Sequence, residues 1–169
     1  MSSIRGWRWF IGPLATVLLV VGLSDAAGGS YHGAGHGVVA KNRIGSLTVV
    51  NAFLPQPASP DVAAIYLTVR NSGSRPDSLV GVGSPAALGA MLMTENPNGT
   101  MGMLRALRIP PHGSASLVPG EDHLMLQQPR HALQVGQRVV VTLHFQHAGA
   151  LTISVPVVPL SRILEHPAS

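Results

Sequence analysis

The stretch that decides the fold is Ala63–Asn71, which reads AAIYLTVRN. It is rich in β-branched and apolar residues and runs directly into the turn residues Ser72 and Gly73, so it predicts a strand. Similar runs predict further strands at Leu47–Ala52, Ser78–Val82, Ala90–Thr94, Thr100–Leu107, Ser114–Val118, His123–Leu126, Arg138–Phe145 and Ala150–Val158. Strands at this spacing, without long amphipathic helices, predict an all-β sandwich or barrel.

The composition of the 169-residue chain agrees with one all-β domain preceded by a leader. Glycine and proline are plentiful, at 19 and 14 residues, and aromatic residues make up 4%, which favours strands joined by tight turns. Charged residues make up 11%, and the net charge of +4 arises from single, scattered basic residues. Because the sequence has no basic run or aromatic-interleaved patch, nucleic-acid binding is not expected.

The first 27 residues have the features of a signal peptide. Arg5 and Arg8 precede an apolar stretch from Trp9 to Leu23, which has the length of a signal h-region and is short for a membrane span. Small residues around Ala26 allow cleavage after that residue or the next. An uncleaved anchor is the alternative, and it would be the protein's contact with a membrane. In both cases the protein is predicted to be extracytoplasmic: periplasmic, on the outer face of the plasma membrane, or secreted.

Methionine is concentrated in one part of the chain. Apart from the initiator, the methionines are Met91, Met93, Met101, Met103 and Met125. The last of them forms an H-x-M motif with His123. Thioether sulfur is a soft donor and imidazole a borderline one, so together they favour Cu(I) and suit hard cations such as Mg²⁺ or Ca²⁺ badly. The cluster therefore indicates a copper-binding protein.

Strand geometry is expected to bring these side chains together. Residues two apart in a strand lie on one face, so each of the three candidate pairs projects together. The turn signature Asn96-Pro97-Asn98-Gly99 predicts a hairpin that places two methionine pairs side by side. The alternative is a non-metal interaction or adhesion sandwich with a methionine-rich core. In that case the methionines would be sealed inside and His123 would point elsewhere.

The regions around the domain are predicted from composition. A glycine-rich arm at 28–43 is expected to be flexible. It carries His32 and His36, which either capture Cu(II) or are incidental residues of a solvated linker. The domain is predicted at 44–160, followed by a loose tail at 161–169. Because the chain has no cysteine, neither a lipid-modified cysteine nor a disulfide is expected, and a monomer held together by its core is predicted.

Enzymatic and electron-transfer functions find little support in the sequence. A blue-copper site needs a cysteine thiolate, and the chain has none. The seven acidic residues are scattered, and no G-x-S-x-G nucleophile motif is present, so a hydrolase is not indicated. The protein is therefore predicted not to be an enzyme.

From about Leu47 to Val157 the chain resembles the PCu(A)C family of extracytoplasmic copper chaperones, whose fold is a cupredoxin-like Greek-key β-sandwich. Several stretches carry the resemblance, in the family's order. They are AAIYLTVRN at Ala63–Asn71, Pro76–Val82, Ser84–Ala87, Met101-Gly102-Met103, Pro119-Gly120 followed by His123-Leu124-Met125-Leu126, and Arg138–Phe145. The resemblance implies a carrier that delivers copper to a partner, such as a cytochrome oxidase copper centre or another copper chaperone.

The resemblance also implies a ligand set. The family binds Cu(I) in the pattern H-x10-M-x21-H-x-M, and Met103, His123 and Met125 match its last three ligands. The family's first histidine falls at Met93, with nine residues between it and Met103 and nineteen between Met103 and His123. The implied site is therefore Met93, Met103, His123 and Met125, with Met91 or Met101 as substitutes for Met93. Exchanging imidazole for thioether keeps the preference for Cu(I) and is expected to weaken Cu(II) binding.

Overall fold

The computed structural model describes residues 42–96 and 98–165. Their secondary structure is a series of strands followed by one short 3₁₀ helix, Leu160–Glu165. The strands are β1 (Arg43–Ile44), β2 (Leu47–Pro55), β3 (Val62–Asn71), β4 (Asp77–Gly83), β5 (Ala87–Glu95), β6 (Met101–Met103), β7 (Leu107–Ile109), β8 (Ser114–Leu117), β9 (His123–Pro129), β10 (Arg138–Phe145) and β11 (Gly149–Val158). Within the described residues, no helix is long and apolar enough to cross a membrane.

The strands form a continuous hydrogen-bonded order, β6-β5-β9-β3-β2-β11-β10-β4-β7, with β1 on β2 and β8 on β3. The pair β2–β11 is parallel, and the other pairs are antiparallel. Strand β3 is shared, because its first half pairs with β9 and its second half with β8. Strands distant in sequence are therefore adjacent in the sheet, and β9 lies between β3 and β5.

The two ends of this strand order close over one hydrophobic core. Leu92 in β5 and Leu124 in β9 belong to the same cluster of buried side chains as Leu79 in β4 and Leu143 in β10. Strands β6, β5, β9 and β3 form one layer, here called the methionine layer, and strands β11, β10, β4 and β7 form the opposite layer. The predicted all-β sandwich is confirmed.

One sequence-based expectation about elements is wrong. Thr100–Leu107 was expected to be one returning strand, but it is divided between β6, which pairs with β5, and β7, which pairs with β4. Ile109 is fully buried, and it pairs with Asp77 of β4 in the opposite layer. The chain therefore crosses from one layer to the other after Leu104. The 3₁₀ helix Leu160–Glu165 forms the described part of the tail predicted at 161–169, and the looseness of that tail stays a prediction.

Several expectations fall on residues that are not described. The predicted signal peptide at 1–27 lies outside the described residues, and so does the arm up to residue 41 with His32 and His36. The same holds for Pro97 in the turn and for residues 166–169 of the tail. The domain limits of 44–160 and the processing of the leader stay predictions.

Candidate metal centre

Three of the predicted ligands lie in one row across three strands. Met93 in β5 is directly opposite His123 in β9 on one side and opposite Met103 in β6 on the other. Side chains of directly opposed residues point to the same face of a sheet, with Cβ atoms about 4.5–5.5 Å apart. The antiparallel register therefore places one imidazole and two thioethers next to one another.

The neighbouring rows carry the remaining thioethers. Two residues along, Met91 is opposite Met125, and on the other side of Met125 lies Ala64 of β3. In the other direction, Met101 is opposite Glu95. Because residues two apart share a face, all five methionines and His123 lie on one surface of the methionine layer. Met125 and Met91 share the row on one side of Met93, and Met101 lies in the row on the other side of Met93.

This surface is the face of the layer that points away from the core. The alternate residues of β5 and β9, Leu92 and Leu124, are buried in the core cluster. Met103 is 70% exposed and Met101 is 51% exposed. The other three methionines are half-buried. The methionines are therefore not core filler, and an ion can approach them from solvent.

The hairpin that presents the outermost methionines is held by its turn. The Asn96 amide donates to the Thr100 carbonyl at 2.8 Å, and the Gly99 amide donates to the Asn96 carbonyl at 2.8 Å. Gly99 has a φ of +77°, a conformation that glycine adopts without steric cost. The predicted hairpin between the two methionine pairs is confirmed.

The imidazole of His123 is held in one orientation. His123 is 5% exposed, and its Nδ1 lies 3.1 Å from the carbonyl oxygen of Glu121. A carbonyl can only accept a hydrogen bond, so this contact requires the proton on Nδ1. Nε2 then carries the free lone pair, which is the form of neutral imidazole that binds a metal.

Tyr66 of β3 lies beside His123, at the β3 end of the row of candidate ligands. Its ring lies 6.3 Å from the His123 ring between centroids, at an interplanar angle of 56°, and 5.4 Å from the Phe53 ring. Burial raises the pKa of the Tyr66 phenol, and the negative charge of Glu95 raises it further. Tyr66 and Glu95 were not singled out from sequence. The two-residue spacing of Glu95 from Met93 could have predicted that the carboxylate lies on the face of the candidate ligands. The position of Tyr66 beside His123 could not be predicted locally, because it depends on the pairing of β3 with β9.

The donor set suits a soft ion. Within the described residues there is no group of three or more histidine, aspartate or glutamate side chains that could hold a metal. The other described histidines, which were assigned no role from sequence, are exposed and lie outside the methionine layer: His112, His131, His144 and His147. Neutral thioethers and one imidazole match the preference of Cu(I), and a hard cation would find no oxygen cage here.

Comparisons with known proteins identify the family. Residues 47–157 match the family described as "Putative lipoprotein LpqE-like". The chain belongs to the LpqE-like family. It is 34% identical over 104 residues to "Putative lipoprotein Lxx21020" of Leifsonia xyli subsp. xyli (strain CTCB07), in a match covering 59% of this chain. The match spans 63% of that relative, which is less than two thirds of its length.

Solved structures relate this LpqE-like protein to PCuAC domains. The copper-bound PCuAC domain of PmoF2 is 27% identical, with a TM-score of 0.61, and the match covers 69% of this chain and 96% of that one. The apo PCuAC domain of PmoF1 is 27% identical, with a TM-score of 0.62 and coverages of 69% and 97%. The CuI form of DR1885 from Deinococcus radiodurans is 29% identical, with a TM-score of 0.55 and coverages of 72% and 82%. The resemblance to the PCu(A)C family and the cupredoxin-like fold predicted from sequence are confirmed.

Proposed function

We propose that this LpqE-like protein is an extracytoplasmic carrier that binds Cu(I) and passes it to a copper-accepting protein. The observation that carries the proposal is the row formed by Met103, Met93 and His123, with Met125 in the adjacent row. Soft, neutral donors on an outward face fit Cu(I). The PmoF2 and DR1885 structures with the same fold are named as copper-bound and CuI forms, which supports the same cargo here.

The exposure of the site fits transfer rather than storage or catalysis. Met103 is 70% exposed on a three-residue edge strand, so a partner's ligand can reach the metal from that side while His123 still holds it. A thioether binds without losing a proton, so exchange needs no proton transfer. The protein therefore acts as a non-enzymatic donor. Its recipient is proposed to be a cytochrome oxidase copper centre or another copper chaperone.

The location and assembly follow from the same reasoning. The lipoprotein descriptions of the family and of the Leifsonia relative support an extracytoplasmic place of action, as the predicted leader does. We expect a monomer, because the ligand candidates all come from one layer of one chain. Sedimentation of the apo and Cu(I)-loaded protein measures this directly.

The alternative of a non-metal sandwich with a methionine-rich core is less well supported. It required Met93, Met103 and Met125 to be sealed inside and His123 to point elsewhere. Instead Met103 is largely exposed, Met93 and Met125 are half-buried, and the register puts His123 on their face. An adhesion role would need a different surface.

Anaerobic titration of Cu(I) against a competing chromophoric chelator tests the proposal. The wild type should bind one equivalent, and His123→Ala or Met103→Leu should each weaken binding by roughly tenfold or more, since each removes one donor. Leucine preserves the volume and apolar character of methionine, so Met103→Leu removes the sulfur with little effect on packing.

His144→Ala is the matched control, because His144 is an exposed histidine on β10 of the opposite layer. It should leave Cu(I) affinity unchanged. Stoichiometric Cu(I) binding that survives undiminished in both His123→Ala and Met103→Leu would exclude this site.

A further inference from the structure

Glu95 is an acidic side chain placed beside the candidate ligands. It is the last residue of β5 and lies opposite Met101 of β6. Because it is two residues from Met93, it lies on the same face as the row of Met93, Met103 and His123. In the strands of the methionine layer, as the structure describes them, Glu95 is the only acidic residue. The side chain is half-buried.

The ligand candidates leave the bound ion without a counter-charge. Thioethers and an imidazole protonated only on Nδ1 are neutral, so the loaded centre carries the full +1 of Cu(I). Placing a charge on a half-buried surface costs free energy unless an opposite charge lies nearby. The protein therefore gains affinity from a carboxylate that is close to the ion but outside the set of sulfur and nitrogen donors.

We propose that Glu95 provides this counter-charge and so sets the affinity for Cu(I) electrostatically, without coordinating the metal. The inference rests on the proposed function and deepens it. A carboxylate oxygen is a hard donor that competes poorly with thioether sulfur for Cu(I). Glu95 is in addition one row removed from Met93, His123 and Met103, opposite Met101.

The field of Glu95 reaches across the site. At one end its strand neighbour in β6 is Met101. At the other end the same carboxylate raises the pKa of Tyr66, whose ring contacts the His123 ring. Glu95 thus lies one row from Met93, and its charge reaches Tyr66 beside His123.

Glu95→Gln tests the proposal, because it removes the charge and keeps the size of the side chain. Chelator competition at low ionic strength should show a Kd for Cu(I) that is roughly three- to fiftyfold higher than in the wild type, as expected for unit charges several ångströms apart near a surface. Salt screens such an interaction, so the wild-type Kd should rise with added salt, whereas the Kd of Glu95→Gln should change less. Glu95→Asp, which keeps the charge, should retain most of the affinity.

Asp61→Asn is the matched control. Asp61 is exposed and lies away from the candidate ligands. Its neighbour Val62 pairs with Gln127, which is four residues along β9 from His123. Its removal changes the net charge of the protein by the same amount and should leave the Kd within about twofold of the wild type, since solvent screens it.

The outcomes separate this proposal from the proposed function. A wild type that binds no Cu(I) contradicts the proposed function itself. A wild type that binds Cu(I) with no salt dependence, or an equal Kd in wild type and Glu95→Gln, overturns the role of Glu95 alone. X-ray absorption of the Cu(I) form should show the same sulfur and nitrogen shell in both proteins. Loss of an oxygen neighbour in Glu95→Gln would make Glu95 a ligand and also overturn the proposal.

Discussion

At the residue scale, the proposed function depends most on Met93. It is the central residue of the row, with His123 on one side and Met103 on the other. The resemblance to PCu(A)C chaperones implies a histidine at this point of the pattern. The thioether of Met93 makes the candidate donor set softer than a second imidazole would, and the thioether is uncharged at every pH. We therefore expect Met93 to set which oxidation state of copper the proposed site prefers.

We predict that Met93→His raises the affinity for Cu(II). A second imidazole beside His123 supplies the nitrogen donor that Cu(II) prefers to thioether, so Kd for Cu(II) should fall by roughly tenfold or more. Competition with a nitrogen-donor chelator under air measures the change. Leu88→His, which places an imidazole at an exposed position of β5 five residues from Met93, is the control and should leave Cu(II) affinity unchanged. An unchanged Cu(II) affinity in Met93→His would place Met93 outside the site.

Tyr66 gives a prediction about pH. Burial and then the charge of Glu95 raise the pKa of its phenol above the ordinary value of 10.0. The folded state thus favours the protonated phenol, so this contribution to stability is complete below about pH 10 and is lost as pH rises through the folded pKa. Tyrosinate absorbance in a Tyr31→Phe variant isolates Tyr66 and should titrate above pH 10. Tyr66→Phe should remove that loss of stability. A titration of Tyr66 at the ordinary value contradicts the assignment.

At the element scale, turns in both layers position the strands. The β5–β6 hairpin depends on the local turn after Glu95, which is why it could be predicted from sequence. The β10–β11 hairpin depends instead on Asp77, a distant residue at the start of β4. Its carboxylate accepts from the backbone amides of Ser78 at 2.7 Å, His147 at 3.0 Å and Ala148 at 2.9 Å. Asp77 is 7% exposed, and these hydrogen bonds are part-buried.

We predict that Asp77→Ala lowers the free energy of unfolding by about 1–3 kcal/mol, because it leaves part-buried amide donors without an acceptor. Asp77→Asn should lie between alanine and the wild type, since its amide oxygen still accepts. Urea unfolding measures the change. The control is Asp61→Ala, at an exposed carboxylate, where about 0.5 kcal/mol or less is expected. Equal losses in the two alanine variants would show that the carboxylate does not anchor the hairpin.

At the scale of the whole molecule, the core and the candidate site occupy opposite faces of the same layer. Leu92 and Leu124 point into the core between the layers, and Met91, Met93 and Met125 point away from it. The exposed Met103 contributes little to the core. Substitutions in the site should therefore change metal binding more than folding. The loaded ion in turn should stabilise the whole domain, because its ligands come from separate strands.

We predict that buffered Cu(I) at about 100 times its Kd raises the free energy of unfolding by about 2.7 kcal/mol, as expected when an ion binds the folded state alone. Anaerobic urea unfolding at several free Cu(I) levels measures this linkage. The double variant with His123→Ala and Met103→Leu should show no rise in its free energy of unfolding as the Cu(I) level increases. An equal rise in the double variant would mean that Cu(I) stabilises the protein at another site.

The sequence by itself determined the fold class and the set of candidate donors. Strand patterning in Ala63–Asn71 and its neighbours is local, and so is the two-residue spacing that puts His123 and Met125 on one face. Tertiary structure decided which strands lie together. The pairing of β5 with β9 joins segments about thirty residues apart and sets Met93 opposite His123, a register fixed by burial of Leu92 and Leu124. The contact of Tyr66 with His123 depends on the pairing of β3 with β9, and the division of β6 from β7 depends on the pairing of β7 with β4. The place of Glu95 depends on the pairing of β5 with β6 and β9. No local pattern specifies which distant strand a segment joins.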